Sequence, residues 1–176
     1  EAEDFIRSVK ISADGNYIVA AGGSDSDDEN VYLFHRNSSS PIWIYYGVNS
    51  FNSVDISSNG NYIVAGGADD NLYLFNRNSS VPIWYYSSDV EVDLVAISKD
   101  GHHIVAGSGS NVHLFSSSSN VPQWSRYVEG GLFSMAMSSD GDYISVGTTQ
   151  QLYLFNSANS TPIWNFDASN WILDVD

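Results

Sequence analysis

The sequence contains no cysteine, which excludes disulfide bonds, thiolate metal sites and cysteine nucleophiles. Cations are also scarce, because 6 Lys and Arg stand against 21 Asp and Glu and give a formal net charge of −15. No basic stripe exists to displace the counterions of a phosphate backbone, so we expect no nucleic-acid partner. No apolar run approaches the roughly 20 residues of a membrane-spanning helix, so we expect no membrane span. The apolar fraction of 43% is nevertheless sufficient for one folded domain.

Proline is rare as well, and its distribution reveals an internal repeat. All four prolines belong to a P-x-W motif, and the tryptophans of this motif are spaced 41, 40 and 40 residues apart. An aromatic-Leu-Phe motif recurs with the same spacing, and a Ser-x-Asp/Asn-Gly motif recurs after 45, 41 and 40 residues, the first interval being lengthened by an insertion. Three motif series that share one period establish a fourfold repeat of about 40 residues. The repeated tryptophans are Trp43, Trp84, Trp124 and Trp164.

Each repeat is predicted to form four short strands. In the second copy, apolar residues alternate over residues 51–57, and Asn59-Gly60 then predicts a tight hairpin. The β-branched run 62–66 predicts a strand that is covered on both faces, and residues 72–75 a third strand. Residues 82–86 are predicted to form the fourth strand, which would begin at a proline. No segment keeps helical spacing over about ten residues, so an all-β fold is expected.

The run IVAGGADDNLYLFNRNSSVPIW resembles the repeat of pyrroloquinoline-quinone-type β-propellers, and the Ser-x-Asp-Gly hairpin resembles that of WD-repeat-like propellers. The resemblance covers residues 5–176 and implies a β-propeller of four-stranded antiparallel blades, with four blades present. It does not extend to the quinoprotein dehydrogenases, because their adjacent cysteine pair and their Glu–Asn–Asp calcium set have no counterpart here. No Gly-His pair opens a blade and no Trp-Asp pair closes one, as such pairs do in true WD repeats. We therefore expect no enzyme activity and no cofactor other than calcium.

The repeat period places the blades at about residues 5–49, 50–90, 91–130 and 131–170 of one propeller or partial propeller spanning 1–176. Residues 171–176 match the start of a first strand, so we expect them to begin a fifth inner strand. The segment 6–12 is also an inner strand, so neither end supplies a strand that the other lacks. We expect the four blades to be half of a seven- or eight-bladed ring, completed by a second copy or by further sequence. Closure would cover the apolar blade faces that an open arc exposes.

The repeated tryptophans are predicted to be structural, each docking its ring between adjacent blades. Stacking on a ligand is the alternative, although a functional aromatic residue need not recur in every blade. His113 stands where the other copies have Tyr. We interpret it as a substitute for a partly buried aromatic residue, with metal binding as the alternative.

Residues that differ between copies at one repeat position are the candidate binding residues. Propeller ligands bind around the axis, where the inner strands and their loops converge. Neutral drift, or an inter-blade ion pair such as Lys10 with Asp55, is the alternative interpretation. The candidate binding residues, at the mouth of the inner strand, are Arg7, Asn52, Asp93 and Phe133.

An acidic insertion in the first copy is the candidate metal site. Its carboxylates are the hard oxygen ligands that calcium prefers, but they lack the register of a known calcium loop and its distal Glu. A solvated acidic loop is the alternative interpretation. The candidate ligands are Asp25, Asp27, Asp28 and Glu29.

These features predict a non-enzymatic binding or scaffold module that engages a protein partner. The alternative is a calcium-dependent or carbohydrate recognition domain at the cell surface, which the acidic loop and Trp171 would serve. The combination of abundant Asp, Ser and Asn with no cysteine predicts an extracellular or cell-surface location in a prokaryote. The negative net charge favours cationic partners.

Overall fold

The structure is a computed structural model that describes residues 5–23 and 29–175. Sixteen β-strands form four separate antiparallel sheets of four strands, and the spatial order in each sheet follows the chain order. The described residues contain no helix. The predicted all-β fold of four-stranded antiparallel blades is therefore confirmed, and we call the four sheets blades 1 to 4.

The strands of the four blades have closely matched lengths. Blade 1 contains β1 (Ile6–Ile11), β2 (Tyr17–Gly22), β3 (Asn30–His35) and β4 (Trp43–Tyr46). Blade 2 contains β5 (Phe51–Ile56), β6 (Tyr62–Gly67), β7 (Asn71–Asn76) and β8 (Trp84–Ser87). Blade 3 contains β9 (Val92–Ile97), β10 (His103–Ser108), β11 (Asn111–Ser116) and β12 (Trp124–Tyr127). Blade 4 contains β13 (Leu132–Met137), β14 (Tyr143–Thr148), β15 (Gln151–Asn156) and β16 (Pro162–Asp167).

The Ser-x-Asp/Asn-Gly motif builds the first hairpin of every blade. In blade 1 the Ser12 hydroxyl donates to Asp14 (Oγ to Oδ1, 2.6 Å) and accepts the N–H of Tyr17 (3.0 Å). The glycine of the motif lies in the left-handed region in all four blades, with φ between 68° and 79°, which confirms the predicted hairpin. The serine hydroxyl and a backbone N–H hold the pKa of the motif carboxyl below its usual value at Asp14, Asp100 and Asp140.

The fourth strand of blade 2 begins later than the sequence predicts. It starts at Trp84 instead of Pro82, and its pairing with β7 begins at Trp84 opposite Leu74. Proline has no N–H to donate to the ladder, and the N–H of Ile83 bonds the Leu74 carbonyl (2.7 Å) outside the regular strand. In blade 4 the strand does begin at the motif proline, Pro162.

The blades stack in chain order along their first strands. The strand pairs β1 with β5, β5 with β9 and β9 with β13 lie in contact across adjacent blades. Apolar side chains fill each of the three junctions, so the core is divided into three clusters, one for each pair of neighbouring blades. One face of blade 1 and one face of blade 4 belong to no such junction among the described residues.

The segment after blade 4 lies where the first strand of a following blade would lie. Residues 171–175 carry no strand assignment. The N–H of Val175 nevertheless donates to the Ser134 hydroxyl (2.8 Å), as the N–H of Val54 donates to that of Ser8 (3.2 Å) in the first junction. The N–H of Ile172 bonds the carbonyl of Thr148 (3.0 Å). The expectation that this segment begins a fifth inner strand stays a prediction.

Candidate functional site

The four candidate binding residues are the extra residues of β-bulges. In every blade the pairing of the first strand with the second slips by one residue at the start of the first strand. A bulge leaves one residue outside the ladder and turns its side chain away from the regular face, which is why bulges often occur beside functional sites. The residues left unpaired at this repeated position are Arg7, Asn52, Asp93 and Phe133.

Three of these bulge residues form a hydrogen-bonded row across blades 1, 2 and 3. Arg7 donates to Asn52 (Nη1 to Oδ1, 3.0 Å), and Asn52 donates to Asp93 (Nδ2 to Oδ1, 3.1 Å). The Asn52 amide also approaches the carboxylate of Glu91 (Nδ2 to Oε2, 3.5 Å). Burial raises the pKa of Asp93, and the negative charge of Glu91 raises it further, while the bond from Asn52 opposes both.

The fourth bulge residue extends the row as an apolar surface. The ring of Phe133 stacks on the indole of Trp171, with centroids 5.2 Å apart and planes 21° apart. Both rings reach the surface, and 62% of Trp171 is exposed. We define the bulge face as Arg7, Asn52, Asp93, Phe133 and Trp171; it runs from a cation, through an amide and a carboxylate, to an aromatic pair.

Asp55, which the alternative interpretation pairs with Lys10, has backbone N–H groups as its hydrogen-bond partners. The Asp55 carboxylate accepts the N–H of Ile56 (2.8 Å) and that of Ile97 in blade 3 (2.9 Å). Burial raises the pKa of Asp55, and the two backbone hydrogen bonds, together with the positive charge of Lys10, offset that effect only in part. Asp55 therefore links blades 2 and 3 and is not part of the bulge face.

Three of the four repeated tryptophans lie between blades. The indole N–H of Trp43 donates to the carbonyl of Arg77 in blade 2, that of Trp84 to Ser117 in blade 3 and that of Trp124 to Ser157 in blade 4, each at 2.8 Å. Each ring also packs on the phenylalanine of the next blade's aromatic-Leu-Phe motif, with centroids 5.5 to 5.8 Å apart. Trp164 lies on the free face of blade 4 and is 46% exposed.

Of the four candidate calcium ligands, the structure describes only Glu29. Asp25, Asp27 and Asp28 lie outside the described residues, and Glu29 directly follows that gap, where its carbonyl accepts the N–H of Gly47 (2.6 Å). Within residues 5–23 and 29–175, no three His, Asp or Glu side chains are grouped in a way that could hold a metal ion. Calcium binding by the acidic insertion stays a prediction.

His113 is buried at the position where the other blades have tyrosine. Its Nδ1 lies 2.8 Å from the Ser125 hydroxyl, and its ring packs against those of Tyr86 and Phe115. Its Nε2 is buried with no hydrogen-bond partner in the described structure. Burial lowers the pKa of His113, so the folded chain favours the neutral ring.

We expect His113→Tyr to remove a pH-dependent loss of stability. The unfolded chain binds a proton at about pH 6.5, whereas folded His113 binds it only at lower pH. The free energy of unfolding of the natural chain should therefore fall relative to the variant as the pH drops below about 6.5. Urea unfolding of both proteins at pH 8 and pH 5.5 measures the difference. The expectation is contradicted if the difference in the free energy of unfolding between the two proteins is the same at both pH values. It is also contradicted if His102→Tyr, a change at an exposed position, produces the same pH-dependent difference.

Comparison with known proteins identifies the architecture. The family model "WD domain, G-beta repeat" matches residues 1–35 and 39–76. A chain in the solved "Crystal Structure of Mitotic Checkpoint Complex" has a TM-score of 0.84 to this chain at 16% sequence identity. The fold is a β-propeller. The pyrroloquinoline-quinone-type resemblance finds no support in either match.

The structural match covers 99% of this chain and 56% of the solved chain, so the sequence spans about half the length of that chain. At this level of identity the likeness shows the fold alone. A search of the curated proteins gives no match. Among the residues that the structure describes, there is no helix that is long and apolar enough to cross a membrane.

Proposed function

We propose that this chain is a non-enzymatic protein-binding propeller that uses the bulge face to hold its partner. The observation that carries the proposal is the row from Arg7 to Asp93, in which side chains of three blades are joined by hydrogen bonds of 3.0 and 3.1 Å. A surface fixed in this way loses little side-chain entropy when a partner binds. The residues in the row differ from blade to blade, whereas the tryptophan and the phenylalanine that pack together at each junction repeat.

The composition of the bulge face supports a protein as the partner. Aromatic residues and arginine are enriched in the energetically dominant parts of protein interfaces, and Phe133, Trp171 and Arg7 supply both types. Asp93 and Glu91 add negative charge beside the aromatic pair, and the net charge of −15 attracts a cationic segment at long range. The similar solved chain belongs to the mitotic checkpoint complex, which supports a role in assembly for this chain.

A peptide pair provides the test. We expect a short peptide rich in Lys and Tyr to bind and to change the fluorescence of Trp171, whereas the same peptide with Glu in place of Lys should not bind. Asp93→Ala and Phe133→Ala should each weaken the binding about tenfold, because each removes a central contact. Titration followed by fluorescence, with calorimetry as a second readout, measures both effects.

The matched control for the peptide test is Asp142→Ala. Asp142 is an exposed carboxylate in the first hairpin of blade 4, at the other end of β13 from the bulge, and its loss removes the same charge as Asp93→Ala. If Asp142→Ala weakens binding as much as Asp93→Ala does, the attraction is a general charge effect. That result, or no binding of the Lys-rich peptide, would overturn the proposed site.

The proposal includes an extracellular or cell-surface location in a prokaryote, which composition alone supports. Carbohydrate recognition gains no specific support, because the exposed Trp171 stacks on Phe133 instead of standing free for a sugar ring.

A further inference from the structure

The three junctions between blades share one docking arrangement. A tryptophan on the fourth strand donates its indole N–H to a carbonyl of the next blade, two residues after the phenylalanine on which its ring packs. One blade therefore supplies the indole, and the next supplies the phenylalanine and the carbonyl. The phenylalanine–carbonyl pairs are Phe75 with Arg77, Phe115 with Ser117 and Phe155 with Ser157.

Blade 1 exposes the receiving half of this arrangement. Phe34 occupies the repeat position of Phe75, and the carbonyl of Arg36 occupies that of Arg77. Phe34 is partly exposed, whereas Phe75, Phe115 and Phe155 are fully buried. It lines a cavity of about 530 Å³ together with Ile6, Val9 and Ile44.

The first strand of blade 1 exposes apolar side chains at positions that are buried in the first strands of blades 2 and 3. Ile6 and Val9 are 47% and 55% exposed, whereas Phe51 and Val54 at the same positions of blade 2 are fully buried. Apolar side chains that line one continuous sheet face in this way mark a surface that another element covers.

Blade 4 exposes the donating half. Trp164 is the fourth tryptophan of the series, and Phe166, on the same face of that strand, is 61% exposed. The two free faces are therefore the two complementary halves of a junction that this chain already makes three times. Surfaces of this kind associate head to tail, and they form a closed ring when the rotation between copies completes a circle.

We propose that two copies of this chain associate head to tail, with Trp164 of each copy docked on Phe34 and the Arg36 carbonyl of the other, so that eight blades surround one axis. The bulge residues Arg7, Asn52, Asp93 and Phe133 of each copy then form half of a ring of such residues, in which Phe133 of one copy lies next to Arg7 of the other.

Residues 171–175 compete with this association. They occupy the place on blade 4 that the partner's β1 would take, and Ile172 packs on Gly147 so closely that an added Cβ would lie 2.6 Å from its Cγ2. The segment is held by few backbone bonds and by no strand pairing in the described structure, whereas β1 belongs to a complete sheet. Docking of the second copy therefore displaces this segment.

Sedimentation velocity of the chain of residues 1–176, over a micromolar concentration series at physiological salt, tests the proposal. We expect a monomer–dimer equilibrium, and we expect Ile172→Asp to tighten it about tenfold by releasing the competing segment. Trp164→Ala and Phe34→Ala should each weaken it about tenfold or more. Tyr127→Ala, which removes an exposed aromatic residue on the fourth strand of blade 3, is the matched control and should leave the equilibrium unchanged.

Mixing the two weakened variants distinguishes a head-to-tail dimer from any other. In a mixture of Trp164→Ala with Phe34→Ala, one junction of the heterodimer keeps both its intact tryptophan and its intact phenylalanine. The mixture should therefore dimerise more strongly than either variant alone. The proposal is overturned if Ile172→Asp remains monomeric at the highest concentration, or if the mixture gains nothing. Thermal melting of dilute samples verifies that each variant is folded.

Discussion

Replacing Trp84 with alanine is expected to lower the free energy of unfolding by about 3 kcal/mol. The indole fills the junction between blades 2 and 3, packs on the buried Phe115 and donates its N–H to the Ser117 carbonyl (2.8 Å). The substitution removes these contacts and leaves a cavity, because the sheets on either side are held by other contacts and cannot close completely. Urea unfolding of dilute protein measures the change.

Trp164→Ala is the matched control for this prediction. It removes the same side chain from the same repeat position, but Trp164 has no following blade in the described structure and is 46% exposed. We expect a loss below about 1 kcal/mol in the monomer. Equal losses for Trp84→Ala and Trp164→Ala would show that the tryptophans act within their own blade and not between blades.

Gly66→Ala is expected to be destabilising by about 3 kcal/mol. A Cβ at residue 66 would lie 2.6 Å from the carbonyl oxygen of Val92 and 2.7 Å from its Cγ1. The carbonyl belongs to the first strand of blade 3 and cannot turn aside, so blades 2 and 3 would have to separate along their line of contact.

Gly131→Ala provides the control for the glycine effect. No heavy atom lies within 4 Å of a Cβ built at residue 131, and its φ lies outside the left-handed region. We expect this variant to be neutral or more stable by about 0.5 kcal/mol, because alanine restricts the unfolded chain. Chemical unfolding of the two variants side by side would refute the packing argument if their stabilities were the same.

The repeats and strands could be predicted from the sequence because their signals are local. Alternation of apolar residues defines each strand, and the Ser-x-Asp/Asn-Gly motif closes its hairpin through bonds within six residues of chain, such as those of Ser12, Asp14 and Tyr17. The late start of β8 at Trp84 was not predicted, because a motif proline opens the strand in blade 4 but not in blade 2.

The contacts within the candidate site could not be predicted, because they join distant parts of the chain. The bulge that frees Asn52 depends on its register against β6, and its bonds to Arg7 and Asp93 span 45 and 41 residues. In the sequence, Gly66 looks like the end of a strand, and only the position of Val92 shows why a side chain does not fit there. The pairing of Phe133 with Trp171 likewise depends on where residues 171–175 return to blade 4.

The division of the core into three clusters has a consequence for how the molecule comes apart. Each cluster joins only two neighbouring sheets, so the free energy is distributed as a series of nearest-neighbour couplings, as in repeat proteins. The outermost sheets have one coupling each and the middle sheets have two. Amide exchange should therefore be fastest in blades 1 and 4 and slowest in the strands of blades 2 and 3, and melting should progress inward from both ends.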